Sequence, residues 1–499
     1  MYQAQVRVGS NTNQKGGSVV KRIAKHSENK WAILALLAVA QFMVVLDIAI
    51  VNVALPSISR DLHFAGNDLQ WVITAYTLTF GGFLLLGGRA ADLYGRRLIF
   101  MSGIALFTLM SLLCGLAQTD TQLIIARAAQ GLAGAIMSPA ALSIVLAEFK
   151  EGKERNTAMG VWAAVASGGA AVGVLLGGVL TQYLDWRWNF FVNVPVGIGV
   201  VFTASYLLPK HIGEEHKKLK LDLPGATLAT AGLMSLVYGL SKAPNNGWDS
   251  ATVWGFIAGG LALLVGFVLN EKRVKQPLMP LEIFKIRNLA GANSAFLVIA
   301  CTMFSMFFFL TLYIQTVLNY SPVKTGVSFL PVTFIIAIVS GIVANLVAKI
   351  GYKPPMNLGP VVLAIGLFVI ATTIKVGGDY WHNVFPGLAT AAVGMGLTFV
   401  SGTLAATSGV PKHFSGLASG ILNTSQQVGG AIGLAILSAV AFSTIRAEVA
   451  AGGPPNGAQV HGYVAGLQVG VGLALAAAVV VFVVVKNHKV DAKEAMSMG

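Results

Sequence analysis

Fourteen runs of about twenty mainly apolar residues divide this chain, starting near Ala32, Leu69, Leu98, Gln122, Thr157, Asn189, Leu223, Thr252, Ala290, Thr325, Met356, Val384, Ser415 and Tyr463. Each is long enough to cross a hydrocarbon layer as a helix. No water reaches backbone groups at that depth, so a run of this kind must satisfy its own N–H and C=O groups, and the helix does so within one segment. The joining loops are mostly short, which favours helical hairpins over separate soluble domains. Composition agrees: 55% of residues are apolar and 11% charged, against about 25% charged in a soluble domain. The 57 glycines are scattered through the apolar runs, where they suit close helix contact rather than a flexible coil. The expected fold class is an all-α integral membrane protein.

The basic excess of +14 is a topology signal. Arg7, Lys15, Lys21, Arg22, Lys25 and Lys30 precede the first run, and alternate loops collect Arg89, Arg96, Arg97, Lys150, Lys153, Arg155, Lys210 and Lys217. Lys218, Lys220, Lys272, Arg273, Lys275, Lys285, Arg287, Lys349, Lys353, Lys412, Lys486, Lys489 and Lys493 fall on that same side. Of the 34 Lys and Arg, only Arg60, Arg187, Lys242, Lys324, Lys375 and Arg446 fall on the other side, and Arg127 lies inside a run. One run missed early in the chain would destroy this asymmetry. The positive-inside rule then makes both termini cytoplasmic, and no nucleic-acid partner is implied. The long polar start is not a secretory signal. Residues 1–30 read as a disordered basic tail, with Gly9 to Gly17 rich in Asn, Ser and Gly. No glycine-rich loop followed by Lys and Ser/Thr occurs in a cytoplasmic segment, which argues against an ATP-driven motor. Cys114 and Cys301 lie in apolar runs and predict no disulfide. His63, His382, His413 and His461 show no metal spacing, and neither a metal nor a cofactor is expected.

Asp47 is the only carboxylate well inside an apolar run. Burying an ionised acid at that depth costs about 2.5–3.5 kcal/mol on insertion scales, so such a residue is expected to face a polar cavity and to bind a proton or cation. Asp47 lies nine residues before Pro56, and Arg127 about six after the outer start of its helix. At about 1.5 Å per residue these depths are roughly 13 and 9 Å, close enough for a direct or water-bridged pair. An arginine beside Asp47 would keep it ionised, and withdrawing the arginine would let it take up a proton. The alternative is a permanent buried pair that staples two helices. Together these features read as a multi-pass transporter.

The loop GGRAADLYGRR, Gly87 to Arg97, carries a further pattern. Gly88 permits close helix contact, Asp92 can cap or oppose a helix N-terminus, and Gly95 allows a tight turn. Arg96 and Arg97 can pair with Asp92 or anchor to lipid phosphate. A merely solvated, positive-inside loop explains the same residues.

At Gly88, Asp92, Gly95, Arg96 and Arg97 this loop resembles the signature loop of the major facilitator superfamily. LDIAIVNVALP (Leu46 to Pro56) resembles the first-helix motif of its fourteen-helix drug:proton antiporter branch. LIIARAAQGLAGA resembles the fourth-helix motif, whose arginine is Arg127 here. DWRWNFFVNVPVG, LYIQTVLNYSP and ASGILNTSQQVGGAIG also match that branch, and the likeness runs from about Trp31 to Lys486.

The resemblance implies a 6 + 2 + 6 arrangement in a bacterial cytoplasmic membrane. It gives bundles over residues 31–209 and 288–486, a linker with two added helices over 210–287 (Leu223–Ser241 and Thr252–Asn270), and a tail from 487 to 499. Rocking of one bundle against the other would give alternating access. Asp92 would lock the bundles against the start of the helix holding Gly416 and Gly420. The corresponding loop of the second half, AKIGYKPPMNLG, has Ala348 where the acid would stand, which supports one lock rather than two. The antiporter motif of the family falls on SGGAAVGVLLGGVL, with Gly169, Gly173 and Gly177 four apart and Gly178 beside them. Val174 stands where proline is usual, so the kink is lost while the stripe remains. Ordinary helix packing explains these glycines equally well.

Asn52, Tyr76, Gln130, Asn423, Gln426 and Gln427 are polar residues inside apolar runs and are candidate cavity residues. Met303 and Phe307, within CTMFSMFFFL, suit hydrophobic or cationic ligands, though lipid-facing or core packing accounts for that stretch too. Trp71 marks an interface. The expected activity is proton-coupled export of amphipathic, cationic or aromatic drugs by a monomer, with protons, lipids and one small substrate as partners. Export of a lipid or a single metabolite is the alternative. A membrane sensor or enzyme would need clustered nucleophiles, metal ligands or an appended soluble domain, none of which is visible.

Overall fold

In the computed structural model residues 12–149, 152–208, 221–411 and 414–487 are described. Among the described residues there are fourteen long helices: α1 (Thr12–Asp61), α2 (Trp71–Tyr94), α3 (Arg96–Gly115), α4 (Asp120–Glu148), α5 (Lys153–Tyr183), α6 (Asn193–Leu207), α7 (Leu223–Asn246), α8 (Ala251–Arg273), α9 (Arg287–Leu312), α10 (Pro322–Ile350), α11 (Lys353–Thr373), α12 (Phe385–Thr407), α13 (Ser415–Ala450) and α14 (Pro455–Val484). Thirteen are long and apolar enough to cross a membrane, and a shorter apolar stretch, Gly168–Tyr183, lies in α5. The protein is an all-helical, multi-pass membrane protein, as the spacing of apolar runs predicts.

Local chemistry sets the helix ends. Thr119 and Ser321 accept from the N–H groups of Gln122 and Lys324 and so satisfy donors that a helix start leaves free. Gly95, at φ +95°, makes the turn between α2 and α3 in a conformation that a Cβ would oppose. Both ends of α1 differ from the sequence reading. α1 continues through Pro56 to Asp61, and its backbone is helical from Thr12, where a disordered tail is expected. Propagating a formed helix adds one hydrogen bond per residue and needs no new nucleus. Residues 1–11, Lys150, the linker basic residues Lys210, Lys217, Lys218 and Lys220, Lys412, His413 and the tail beyond 487 lie outside the described residues.

Packing repeats with an offset of eight helices. α1 meets α5, α2 meets α4, and α3 meets α4 and α6; α9 meets α13, α10 meets α12, and α11 meets α12 and α14. The contacts between halves, α5 with α10 and α2 with α13, exchange under the same offset. Such a relation describes two parallel repeats facing each other. The α7–α8 hairpin leans on α2 and α13 through α7, while Phe256, Leu261, Val265 and Leu269 of α8 point outward, as a lipid-facing wall requires.

The α5–α10 contact is tight at one end only. A Cβ at Gly178 would meet the Pro322 carbonyl at 2.6 Å, and one at Gly326 would meet that of Val174. The Gln182 side-chain oxygen accepts from the Val323 N–H at 3.1 Å. Further along, Gly160 and Gly168 of α5 and Gly341 of α10 have nothing within 4 Å of a Cβ position. Along this seam the two helices therefore close at the face holding Asp61 and part toward the face holding Gly95, while α2 and α13 stay in contact at Leu85 and Gly420.

Candidate functional site

Five helices of the first half converge on Asp47. Arg127 and Gln130 sit one turn apart on α4, so both side chains leave the same face. The Arg127 guanidinium donates to one Asp47 oxygen at 2.5 Å and to the Gln130 side-chain oxygen at 2.7 Å. Its Nε donates to the Val72 carbonyl of α2 at 3.0 Å, and its Cζ lies 4.3 Å from the Tyr76 ring centre. The other Asp47 oxygen accepts from Gln130 at 2.9 Å and from Asn193, at the start of α6, at 3.0 Å. Asn193 is held in turn by Ser111 of α3 at 3.1 Å, and Ser111 donates to the Phe190 carbonyl. Asp47 is 0% exposed and Arg127 1%. A buried charge pair persists only where further hydrogen bonds satisfy both partners; here they are supplied from α2, α4 and α6.

The structure thus realises the direct Asp47–Arg127 pairing that helix depth allows. It corrects the surroundings: Asp47 does not face an open cavity in this conformation. Tyr76 and Gln130, expected along the substrate path, are fully buried in the Asp47 network instead. Both lie on the faces of α2 and α4 that meet each other. Asn193 and Ser111 are the partners that sequence reasoning did not single out. Asn193 had a usable signal: it is an uncharged polar residue within DWRWNFFVNVPVG, between apolar neighbours.

The glycines of α5 seat α1 beside this network. Cβ atoms at Gly169, Gly173 and Gly177 would meet Val45, Ala49 and Ile50, which bracket Asp47; at Gly173 and Gly177 the approaches are 2.7 and 2.6 Å. Gly178 faces α10 of the other half. α5 runs unbroken from Lys153 to Tyr183, with Val174 in place of the proline.

Other candidates are spread more widely. Asn52 is half-buried and donates to its own helix at the Ile48 carbonyl. Asn423, Gln426 and Gln427 are half-buried on α13, where Gln427 packs against Gly81 of α2 and Thr424 donates to the Gly81 carbonyl at 3.2 Å. The CTMFSMFFFL stretch divides by helical face. Met306, Phe308 and Phe309 are core, while Met303, Phe304 and Phe307 are half-buried. Gln315 crosses between halves to donate to the Val53 carbonyl at 2.8 Å. Trp71 donates to Ser241 at 3.2 Å and ties α2 to α7.

In the signature loop, Gly88 lies against Pro139 of α4. Asp92 is half-exposed, 3.7 Å from Arg96 of the next helix. Arg96 and Arg97 donate to the carbonyls of Ser143 and Ser205, fastening the loop to α4 and α6. Gly416 has nothing within 4 Å of a Cβ position, while Gly420 abuts Leu85. Residues 412–413, just before α13, lie outside the described residues, and with them part of the partner surface expected for Asp92.

The profile of the Major Facilitator Superfamily matches residues 37–434. The chain is 40% identical over 93% of its length to the puromycin resistance protein pur8 of Streptomyces alboniger, covering 93% of that protein. It is 39% identical to the cephamycin export protein CmcT of Amycolatopsis lactamdurans, over 87% of this chain and 89% of that one. Among solved structures, a peptide transporter POT in complex with sulfate superposes with a TM-score of 0.66 at 16% identity, over 90% of this chain and 93% of that one.

Proposed function

Because this chain belongs to the Major Facilitator Superfamily, and so is a membrane transporter rather than an enzyme, we propose that it is a proton-coupled exporter of small amphipathic antibiotics or drugs. The observation that carries this reading is the fully buried Asp47–Arg127 pair with its amide partners. An ionised carboxylate only accepts hydrogen bonds, and Asp47 accepts three, from Arg127, Gln130 and Asn193. Protonation turns one oxygen into a donor and removes the countercharge of Arg127. At least one of the three bonds must then break. Arg127 keeps the Val72 carbonyl and the Gln130 oxygen, so it can stay on α4 while α1 is freed.

The glycine stripe gives that event a route. α1 is seated on α5 through Gly169, Gly173 and Gly177, and α5 closes on α10 through Gly178. A shift of α1 on protonation therefore loads the contact between halves. In this reading the face holding Gly95 is cytoplasmic, which agrees with the distribution of Lys and Arg. Asp92 with Gly88, Gly95, Arg96 and Arg97 forms the cytoplasmic gate. The substrate path runs between the halves past Asn52, Met303, Phe307, Asn423, Gln426 and Gln427, and the transporting unit is a monomer. The export and resistance names of the relatives support a small antibiotic as cargo.

Inverted membrane vesicles acidified inside test this directly. Adding puromycin or a cephamycin should release protons from vesicles with the wild-type protein and not from vesicles with Asp47→Asn. Drug uptake that ignores the pH gradient would remove proton coupling from the reading.

A further inference from the structure

A pair of buried acids closes the Gly95-face end of the inserted hairpin. Asp222 precedes α7 and Glu271 lies near the end of α8; each is 4% exposed. One Asp222 oxygen caps α7 by accepting from the Gly225 N–H at 2.9 Å, and the other accepts from Asn270 at 2.8 Å. The Glu271 Oε2 accepts from the Met279 N–H at 2.8 Å. Its Oε1 is buried with no hydrogen-bond partner among the described residues. Asp222 Oδ2 and this unpartnered Oε1 approach one place. A Cβ on Gly225 would meet Asp222 Oδ2 at 2.5 Å and Glu271 Oε1 at 2.8 Å. Glycine leaves that place open, with both oxygens lining it.

Among the described residues neither acid has an ion-pair partner; Lys217, Lys218 and Lys220 lie outside them. Lys272 and Arg273 of α8 and Lys275 of the linker are exposed. Arg89 of α2 donates to the Pro277 carbonyl at 3.2 Å. Two ionised carboxylates this close and this dry would repel each other, with one oxygen left unsatisfied. One proton removes both problems.

We infer that Asp222 and Glu271 together bind a single proton as an O–H···O bond between Glu271 Oε1 and Asp222 Oδ2, a proton site separate from Asp47. The proton comes from water at the Gly95 face and returns there on release, and no other covalent bond changes. Glu271 also holds the linker turn through Met279, two residues from the Pro277 carbonyl that receives Arg89. Releasing the proton would part the acids and loosen the linker from the end of α2 inside the signature loop.

The linkage has a definite sign. The folded protein holds a proton that the unfolded chain has given up, so stability falls as pH rises through the titration of the pair. The test uses the purified full-length protein in detergent, with thermal unfolding followed from mildly acidic to mildly alkaline buffer. Wild type should lose several degrees of Tm across that range, and Glu271→Gln should flatten the loss. The glutamine amide can donate to Asp222 while its oxygen still accepts from Met279. Asp222→Asn, which keeps a capping oxygen, should flatten the profile in the same way. Infrared spectra should show a protonated-carboxyl stretch that persists in Asp47→Asn and vanishes in Glu271→Gln. Parallel Tm profiles for wild type and both variants, or a carboxyl band indifferent to Glu271→Gln, would overturn the shared proton. Loss of coupled export in Asp47→Asn with this band intact keeps the two sites distinguishable.

Discussion

Arg127 closes on Asp47 at 2.5 Å across eighty residues of sequence, with both side chains shut off from solvent. The same guanidinium grips the Val72 carbonyl and Gln130 and lies over Tyr76. One side chain therefore connects α1, α2 and α4. The pair is structural and chemically responsive together: its strength depends on Asp47 being ionised.

Replacing Asp47 by asparagine leaves Arg127 buried without a countercharge. Breaking one partner of a buried pair costs about 3–5 kcal/mol, so Asp47→Asn should insert in the membrane but unfold at a lower temperature. Adding Arg127→Gln should restore part of that loss, because no uncompensated charge remains. Neither variant should export drug against a gradient. Thermal unfolding and vesicle efflux measured together decide the matter; wild-type efflux in the double variant would leave the pair as a staple only.

Arg127→Lys separates charge from geometry. Lysine keeps the positive charge but is a compact point charge without the planar fork that reaches Asp47, Gln130 and Val72 at once. Efflux should fall at least about tenfold, equivalent to about 1.4 kcal/mol in the coupled step. Drug accumulation in cells with matched expression reports it, and unchanged efflux would show that charge alone suffices.

The glycine stripe is sensitive to single methyl groups. A Cβ in Gly173→Ala would lie 2.7 Å from that of Ala49, and overpacking of this kind costs typically about 1–3 kcal/mol. α1 should shift with Asp47 on it, lowering Tm and efflux together. Gly178→Val acts elsewhere, at the Pro322 contact between halves. It should expose that seam, read as faster thiol labelling of a cysteine placed at Gln182. The native Cys114 and Cys301 are buried and leave little background.

If Asp47 exchanges one proton for one monovalent cation, transport moves no net charge. A membrane potential then adds nothing, although 100 mV is worth about 2.3 kcal/mol per charge, and each pH unit contributes about 1.4 kcal/mol. Export of a cationic drug from proteoliposomes should follow the pH gradient and ignore an imposed potential. Robust pumping on potential alone would reject one-for-one exchange.

Much of this was legible in order along the chain. The apolar runs predict helices, because a bilayer leaves backbone groups no other general solution. Helix starts fall within a few residues of the sequence positions, except at α1, which begins at Thr12 rather than Ala32, and at α14, which begins at Pro455 rather than Tyr463. The polar first residues of α14 conceal its start from any hydropathy window. Asp47 and Arg127 stand out for a related reason: a charge within an apolar run is costly enough to demand an explanation.

Sequence position and depth could not say what stands around such a charge. Tyr76 and Gln130 look like residues of a wet path, yet they close the Asp47 network, because α2 and α4 meet on those faces. Asn193 joins from α6, more than a hundred residues away in sequence. The uncovered place at Gly225, where Asp222 meets Glu271, exists only once α7 lies against α8. Span number and buried charge are properties of single segments, so the sequence by itself determined them. Which side chains share a hydrogen bond depends on the rotation and register of helices against one another, and only the tertiary structure decided that.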